Sequence, residues 1–289
     1  MVSKLTLTFF LIFTLVTGFS QDLQIIEQDY ARALSLAEAE DKLLFVDFYT
    51  TWCLPCKELD EWVFKNDSVT RPLAENFVLL RYDAENDRVF HLSKKHHLIS
   101  YPTAIILNSD GAVINRKYGF SGDDEETLSN SVLEFSQESL HFHQDGMFLK
   151  GYSTDVDTMI YPKFYIDFVN RDDIMVLDRP EFEQYWKNSS NALSEGYFST
   201  LSYFAADVPE EVGDLYLKNK TKYTELFGKL DVDLTLYFLI AERFERAIES
   251  KSRKKFDRAT AYLERAYGKE KARKKLPYYL DAFEEALKE

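Results

Sequence analysis

Cysteine is nearly absent from this chain: 289 residues contain two, and both fall in one four-residue stretch, Cys53 and Cys56. A fold stapled by disulfides shows several cysteines at scattered spacings. A loop closed over two intervening residues removes little chain entropy, so a reactive role for the pair is favoured over a structural one. Basic residues are also in deficit, 35 against 49 acidic ones, for a formal net charge of -14. Nucleic acid is therefore not expected as a partner. The deficit is uneven, because residues 21–139 carry 11 bases against 22 acids and residues 140–289 carry 23 against 27. Solubility explains it most simply; steering of a basic partner is the other reading. Long apolar runs are lacking too. Leu5 to Val16 offers roughly 12 residues where a membrane span needs about 20. With Lys4 before it and the small residues Gly18 and Ser20 after it, this run reads as a secretory signal cleaved before Gln21, an uncleaved anchor being the alternative.

What is present can build a sizeable core: 45% of the residues are hydrophobic, and the length predicts two domains. Helical spacing from Asp29 to Asp41 gives way to the continuous apolar run Leu43 to Phe48, as for a strand covered on both faces. The cysteines follow, and then a helix is expected over Glu58 to Lys65. Phe77 to Tyr82 predicts a second buried strand, Arg88 to His96 a helix and Thr103 to Leu107 a third strand. The turn Asn108 to Gly111 leads into Ala112 to Arg116 as a hairpin, and a helix from Glu125 to Phe135 closes the unit. The order predicts a mixed sheet flanked by helices.

Beyond a polar stretch from Gln137 to Gly151 the pattern becomes all-helical, with segments expected over Asp157 to Asn170, Arg179 to Ala206, Pro209 to Phe227, Asp233 to Ser250, Lys255 to Tyr267 and Pro277 to Lys288. Aromatics crowd this half, as at Tyr161, Phe164, Tyr165 and Phe168. Core packing accounts for them, and a client groove is the alternative.

Two cysteines at this spacing can close a small disulfide, open it and pass an electron pair on through a mixed disulfide. Lying between a strand end and a helix start, Cys53 gains amide N–H groups and the positive dipole end, which lower a thiol pKa; Cys56, one turn on, can resolve the intermediate. Zinc needs about four ligands, and neither His96 and His97 nor His141 and His143 bring further cysteines, so no metal is expected.

Three segments taken in order, Phe45-Val46-Asp47-Phe48, Trp52-Cys53-Leu54-Pro55-Cys56-Lys57 and Tyr101-Pro102-Thr103, resemble the thioredoxin superfamily over Ile25 to Phe135. The resemblance implies an α/β thioredoxin fold over this stretch; with the readings above, the chain divides into a signal peptide at 1–20, a thioredoxin-like domain at 21–139, a linker at 140–152 and an all-α helical domain at 153–289. The resemblance also implies Cys53 as nucleophile, Cys56 as resolving thiol, Asp47 as a buried carboxylate beneath the pair and Pro102 as a cis-proline facing it. Trp52, Pro55, Tyr101 and Thr103 are the expected substrate contacts. Lys57 is expected to help neutralise the acid or the thiolate, or else to be a solvated helix residue. Asp47 could instead face solvent at a strand end, and Pro102 could be an ordinary trans boundary. Trp52 and Tyr101 could simply pack.

The Leu54-Pro55 dipeptide departs from the Gly-Pro of ordinary thioredoxin and leaves the redox potential open. Asp60 to Phe64 and Asn66 to Val69 are similar to the thioredoxin-like domains of bacterial envelope thiol reductases. No counterpart of their eight-helix membrane part is seen, so an electron donor or acceptor outside this chain is expected, a membrane-bound one among the candidates. The expected activity is reduction or isomerisation of disulfides in extracytoplasmic proteins, in the periplasm or secreted, with no cofactor beyond the Cys53–Cys56 disulfide. A redox-sensing adaptor whose helical half recruits a partner, and a metal carrier using the two thiols, are the alternatives.

Overall fold

The computed structural model describes residues 22–170 and 177–288, so the predicted signal segment and its cleavage point lie outside the described residues. The first half runs β1 (Ile25–Glu27), α1 (Tyr30–Ala39), β2 (Leu43–Tyr49), α2 (Leu54–Trp62), α3 (Asp67–Asn76), β3 (Phe77–Asp83), α4 (Leu92–Lys95), β4 (Thr103–Leu107), β5 (Val113–Tyr118) and α5 (Glu125–Gln144). One five-stranded mixed sheet results, in the order β1-β3-β2-β4-β5. β1 and β2 pair parallel with β3, whereas β4 pairs antiparallel with β2 and β5. This is a thioredoxin fold.

Side chains alternate across β2, as the period of two requires. Leu44, Val46 and Phe48 join Leu80 and Tyr82 of β3 and Ile105 of β4 in one core. Leu43 and Phe45 join Phe77, Leu79 and Ile106 in a second, which α2, α3 and α5 cover through Leu59, Leu73 and Val132. Burial on both faces is why the run reads as continuously apolar.

The second half is all-helical: α6 (Lys163–Asn170), α7 (Arg179–Asn188), α8 (Glu195–Tyr203), α9 (Glu210–Phe227), α10 (Lys229–Glu249), α11 (Arg253–Tyr267) and α12 (Lys269–Ala286). It does not stand apart. The core on the Leu44 face continues through Tyr152, Phe198 and Phe227 to Phe244 and Phe283, so sheet and helices share apolar packing. Tyr161, Phe164 and Tyr165 are buried there, and Phe168 packs against them. Each aromatic so buried contributes about 1.5–3 kcal/mol relative to exposure.

Several elements depart from the sequence expectation for identifiable reasons. α5 runs past Phe135 and through position 139, because Ser136 and Ser139 return their hydroxyls to carbonyls four residues back and so do not interrupt it. Tyr152, within the expected linker, is buried between the halves. The helix expected over Arg88 to His96 shrinks to α4, since His91 takes a left-handed φ of 51° and buried Asp87 accepts from the Ser93 amide at 2.9 Å. The segment Arg179 to Ala206 divides where Ser189 ends α7 and Ser194 caps α8. α12 begins at Lys269 and carries Pro277 inside it rather than starting there. The strand β1 and the helix α3 were not anticipated; α3 holds Pro72 in its interior, a residue that argues against a helix locally.

Packing within the helical half is close at Gly196 of α8, where an added Cβ would lie 2.1 Å from the Ile160 carbonyl oxygen. Gly196→Ala is expected to cost about 1–3 kcal/mol, since backbone must move to admit the methyl. Urea unfolding of both proteins checks this, and an unchanged midpoint would contradict the packing.

Candidate active site

Strand β2 and helix α2 are joined by a turn in which the Cys53 amide donates to the Thr50 carbonyl at 3.2 Å. Cys53 caps α2 with φ -71° and ψ 109°, Pro55 sits in the first turn, where its missing N–H costs nothing, and the Cys56 amide donates to Cys53 Sγ at 3.2 Å. The two sulfurs are joined at 1.94 Å with Cα atoms 5.3 Å apart, so this is the oxidised state. Both cysteines are buried, whereas Trp52 and Leu54 beside them are 61% and 65% exposed. An apolar rim therefore surrounds a disulfide that solvent barely touches.

Asp47 lies on β2 in register with Arg81 of β3 and Ala104 of β4. Its odd position puts it on the face of Leu43 and Phe45, the one that α2 covers. It is fully buried, and neither carboxyl oxygen has a protein hydrogen-bond partner. Burial is the main reason its pKa rises to about 7; Arg81 opposes the rise, while Asp60 and Glu27 reinforce it. At 3.6 Å the Arg81 guanidinium forms an ion pair with Asp47 that is too long for a close hydrogen bond. Arg81 also pairs closely with Asp60 of α2 and lies 4.7 Å from the Tyr49 ring centroid. A carboxyl titrating near neutrality can take or return a proton at working pH, and Asp47 stands on the sheet face covered by α2, the helix that Cys53 caps.

Lys57, expected to neutralise this acid, is exposed, and Arg81 is the cation that reaches it. Arg81 carried a legible signal: it is the one charged residue in the apolar run Phe77 to Tyr82. Asp60 and Glu27 carried none.

The Tyr101–Pro102 peptide is cis. Pro102 is buried and its carbonyl accepts from the Gly119 amide at 2.8 Å. Thr103 is fully buried, pairs with Phe48 and Tyr118 across the sheet, and donates its hydroxyl to the Ser100 carbonyl at 2.8 Å. Trp52 meets Tyr101 edge to face at 6.1 Å. The Trp52–Tyr101 contact brings the proline segment to the cysteine turn, and Pro55 is exposed nearby. Trp52 thus lies at the surface and not in the core.

Residues 25–109 match the family model described as thioredoxin-like. Thioredoxin-1 of Drosophila melanogaster is 34% identical over 106 residues, 37% of this chain and 89% of that protein. The thiol:disulfide interchange protein DsbD of Yersinia pestis is 37% identical over 78 residues, 26% of this chain and 13% of that protein. Among solved structures, a proposed disulphide-isomerase from Bacteroides thetaiotaomicron is 41% identical, with 39% of this chain and 92% of that one covered and a TM-score of 0.33. The chain belongs to the thioredoxin-like family of thiol-disulfide oxidoreductases and carries an additional helical region after the family's fold.

Proposed function

We propose that this chain is an exported oxidoreductase that reduces or isomerises disulfides of extracytoplasmic proteins through Cys53 and Cys56. The observation that supports the reading is a disulfide at the start of α2 together with a buried Asp47, on the sheet face α2 covers, whose pKa is raised to about 7. In the reduced enzyme the Cys53 thiolate attacks a client disulfide, forming a mixed disulfide and releasing one client thiolate, which takes a proton from water. Asp47 accepts the Cys56 proton, and Cys56 then attacks Cys53 Sγ. The second client sulfur leaves as a thiolate and takes the proton from Asp47, and the enzyme is left oxidised by two electrons. An external dithiol donor must return that pair, and a membrane-bound donor is the one the reductase resemblance suggests. No further cofactor enters the scheme.

Trp52, Tyr101 and Pro102 serve as the client-binding edge, Pro55 shapes the turn between the cysteines, and Thr103, expected as a client contact, is fully buried and paired on both sides, so it supports the edge from behind. Export rests on the segment from Lys4 to Ser20. The helical region, placed at 153–289, is assigned to the same enzyme rather than to a separate adaptor because it shares a core with the sheet.

Insulin reduction by dithiothreitol tests the activity. The chain is expected to accelerate it, and a rate equal to the uncatalysed one would sink the proposal. Equilibration with glutathione then gives the direction: a potential near about -270 mV indicates a reductase, and one near about -120 mV an oxidant.

A further inference from the structure

Between the sheet and the helical half lies a seam of buried charge that the thiol chemistry does not use. Asp231 of α10 meets Arg116 of β5 at 2.8 Å and accepts from the hydroxyls of Tyr118 and Tyr152 at 2.7 and 3.0 Å. Lys95, at the end of α4, pairs with Glu195 of α8 at 2.9 Å and donates to the Ser153 and Asp155 carbonyls at 2.7 and 2.9 Å. All four charged groups are buried. Pairs this deep contribute little net stability, because desolvation offsets their attraction. What they provide is geometry.

That geometry converges on one segment. The Leu92, Ser93 and Lys94 carbonyls at the end of α4 accept from the His96, Leu98 and His97 amides of the same stretch, and the carbonyls of Lys94, Lys95 and His96 are met from outside it. Tyr165 of α6 donates its hydroxyl to the Lys94 carbonyl at 2.5 Å, Ser199 of α8 to that of Lys95 at 3.2 Å, and Arg116 to that of His96 at 3.0 Å. His97 follows with a φ of 39°, a left-handed backbone that a side-chain-bearing residue adopts only when its surroundings impose it. Its ring is stacked on Tyr152 and edge-on to Phe198, with Nε2 3.7 Å from Asp231. Tyr101 and Pro102 come a few residues later.

We propose that the helical half is a working part of the active site. Tyr165, Ser199 and the Arg116–Asp231 pair are positioning residues that fix the path from Lys94 to Ser100 and thereby set the Tyr101–Pro102 backbone against which a client lies. The proposal rests on the reading that clients bind along that backbone.

The test uses the full chain carrying Tyr165→Phe with Ser199→Ala, which removes two hydrogen bonds to the segment and touches neither charge nor thiol. Ser199→Ala alone serves if the pair fails to fold. The KM for insulin is expected to rise about five-fold with little change in kcat, while direct reduction of the Cys53–Cys56 disulfide by dithiothreitol stays within about two-fold of wild type. Amide exchange over residues 96–104 is expected to accelerate about ten-fold with β2 unchanged. An unchanged insulin KM in the folded variant overturns the proposal. Unchanged exchange over 96–104 overturns it as well, whether or not the wild type reduces insulin. Inactivity of the wild type with accelerated exchange in the variant sinks the assignment of activity and leaves the positioning supported.

Discussion

Cys53→Ser is expected to abolish turnover of disulfide substrates, by at least about a thousand-fold, whereas Cys56→Ala keeps the attacking step and loses release. Exposure does not distinguish the two sulfurs, since Cys53 is 3% and Cys56 1% exposed in the oxidised protein. Position in the helix does. Cys53 is the N-cap of α2, where the Cys56 amide already points at its sulfur and the positive end of the helix dipole favours a thiolate. Cys56 lies a turn inside, on the buried side. Mixing each reduced variant with oxidised glutathione and weighing the products by mass spectrometry gives the answer. Cys56→Ala should accumulate a stable mixed disulfide, and Cys53→Ser should form little. Equal trapping by the two would reverse or dissolve the assignment of roles.

The parts of the site that sequence made legible are those whose chemistry is local. Cys53 and Cys56 announce themselves by spacing, and Asp47 by standing in a run that is otherwise apolar. Arg81 does the same in β3, yet its relation to Asp47 depends on the parallel register that sets residue 47 beside residue 81, and no local pattern encodes register. Sequence proximity therefore points to Lys57 as the cation or as a solvated helix residue, and in the fold Lys57 is exposed. In the helical half periodicity identified which faces are buried but not what they are buried against. The polar texture from Gln137 to Gly151 predicts a linker at 140–152 between the two domains. There the chain instead continues α5 to Gln144 and then inserts Tyr152 into a core common to both halves. The charged seam was invisible for the same reason: Arg116 and Asp231 are more than a hundred residues apart, and each alone reads as a surface residue.

Asp47→Asn is expected to change the pH dependence of stability more than any other single replacement at the site. The folded carboxyl titrates at about 7, against an ordinary value of 3.8. Below pH 3.8 both folded and unfolded chains hold the proton, and the group contributes nothing. As pH rises toward 7 the unfolded chain releases its proton while the folded chain keeps it, so stability falls. Above about pH 7 both are ionised and the loss levels off. The gap between 3.8 and about 7 corresponds to at most about 4 kcal/mol. Asparagine leaves one buried polar group unpaired at every pH, a cost that does not titrate, and Arg81 retains Asp60. The variant should therefore gain stability relative to wild type between pH 4 and pH 8, measured by urea unfolding with the disulfide oxidised in both. Parallel curves for the two proteins would show that Asp47 ionises normally. In turnover the effect has the opposite sign: without a proton acceptor for Cys56, release should slow about ten- to a hundred-fold and lose its rise near pH 7. A group that costs the fold stability at neutral pH while speeding the reaction is what a catalytic carboxylate looks like, and a merely structural acid would not move both measurements in opposite directions.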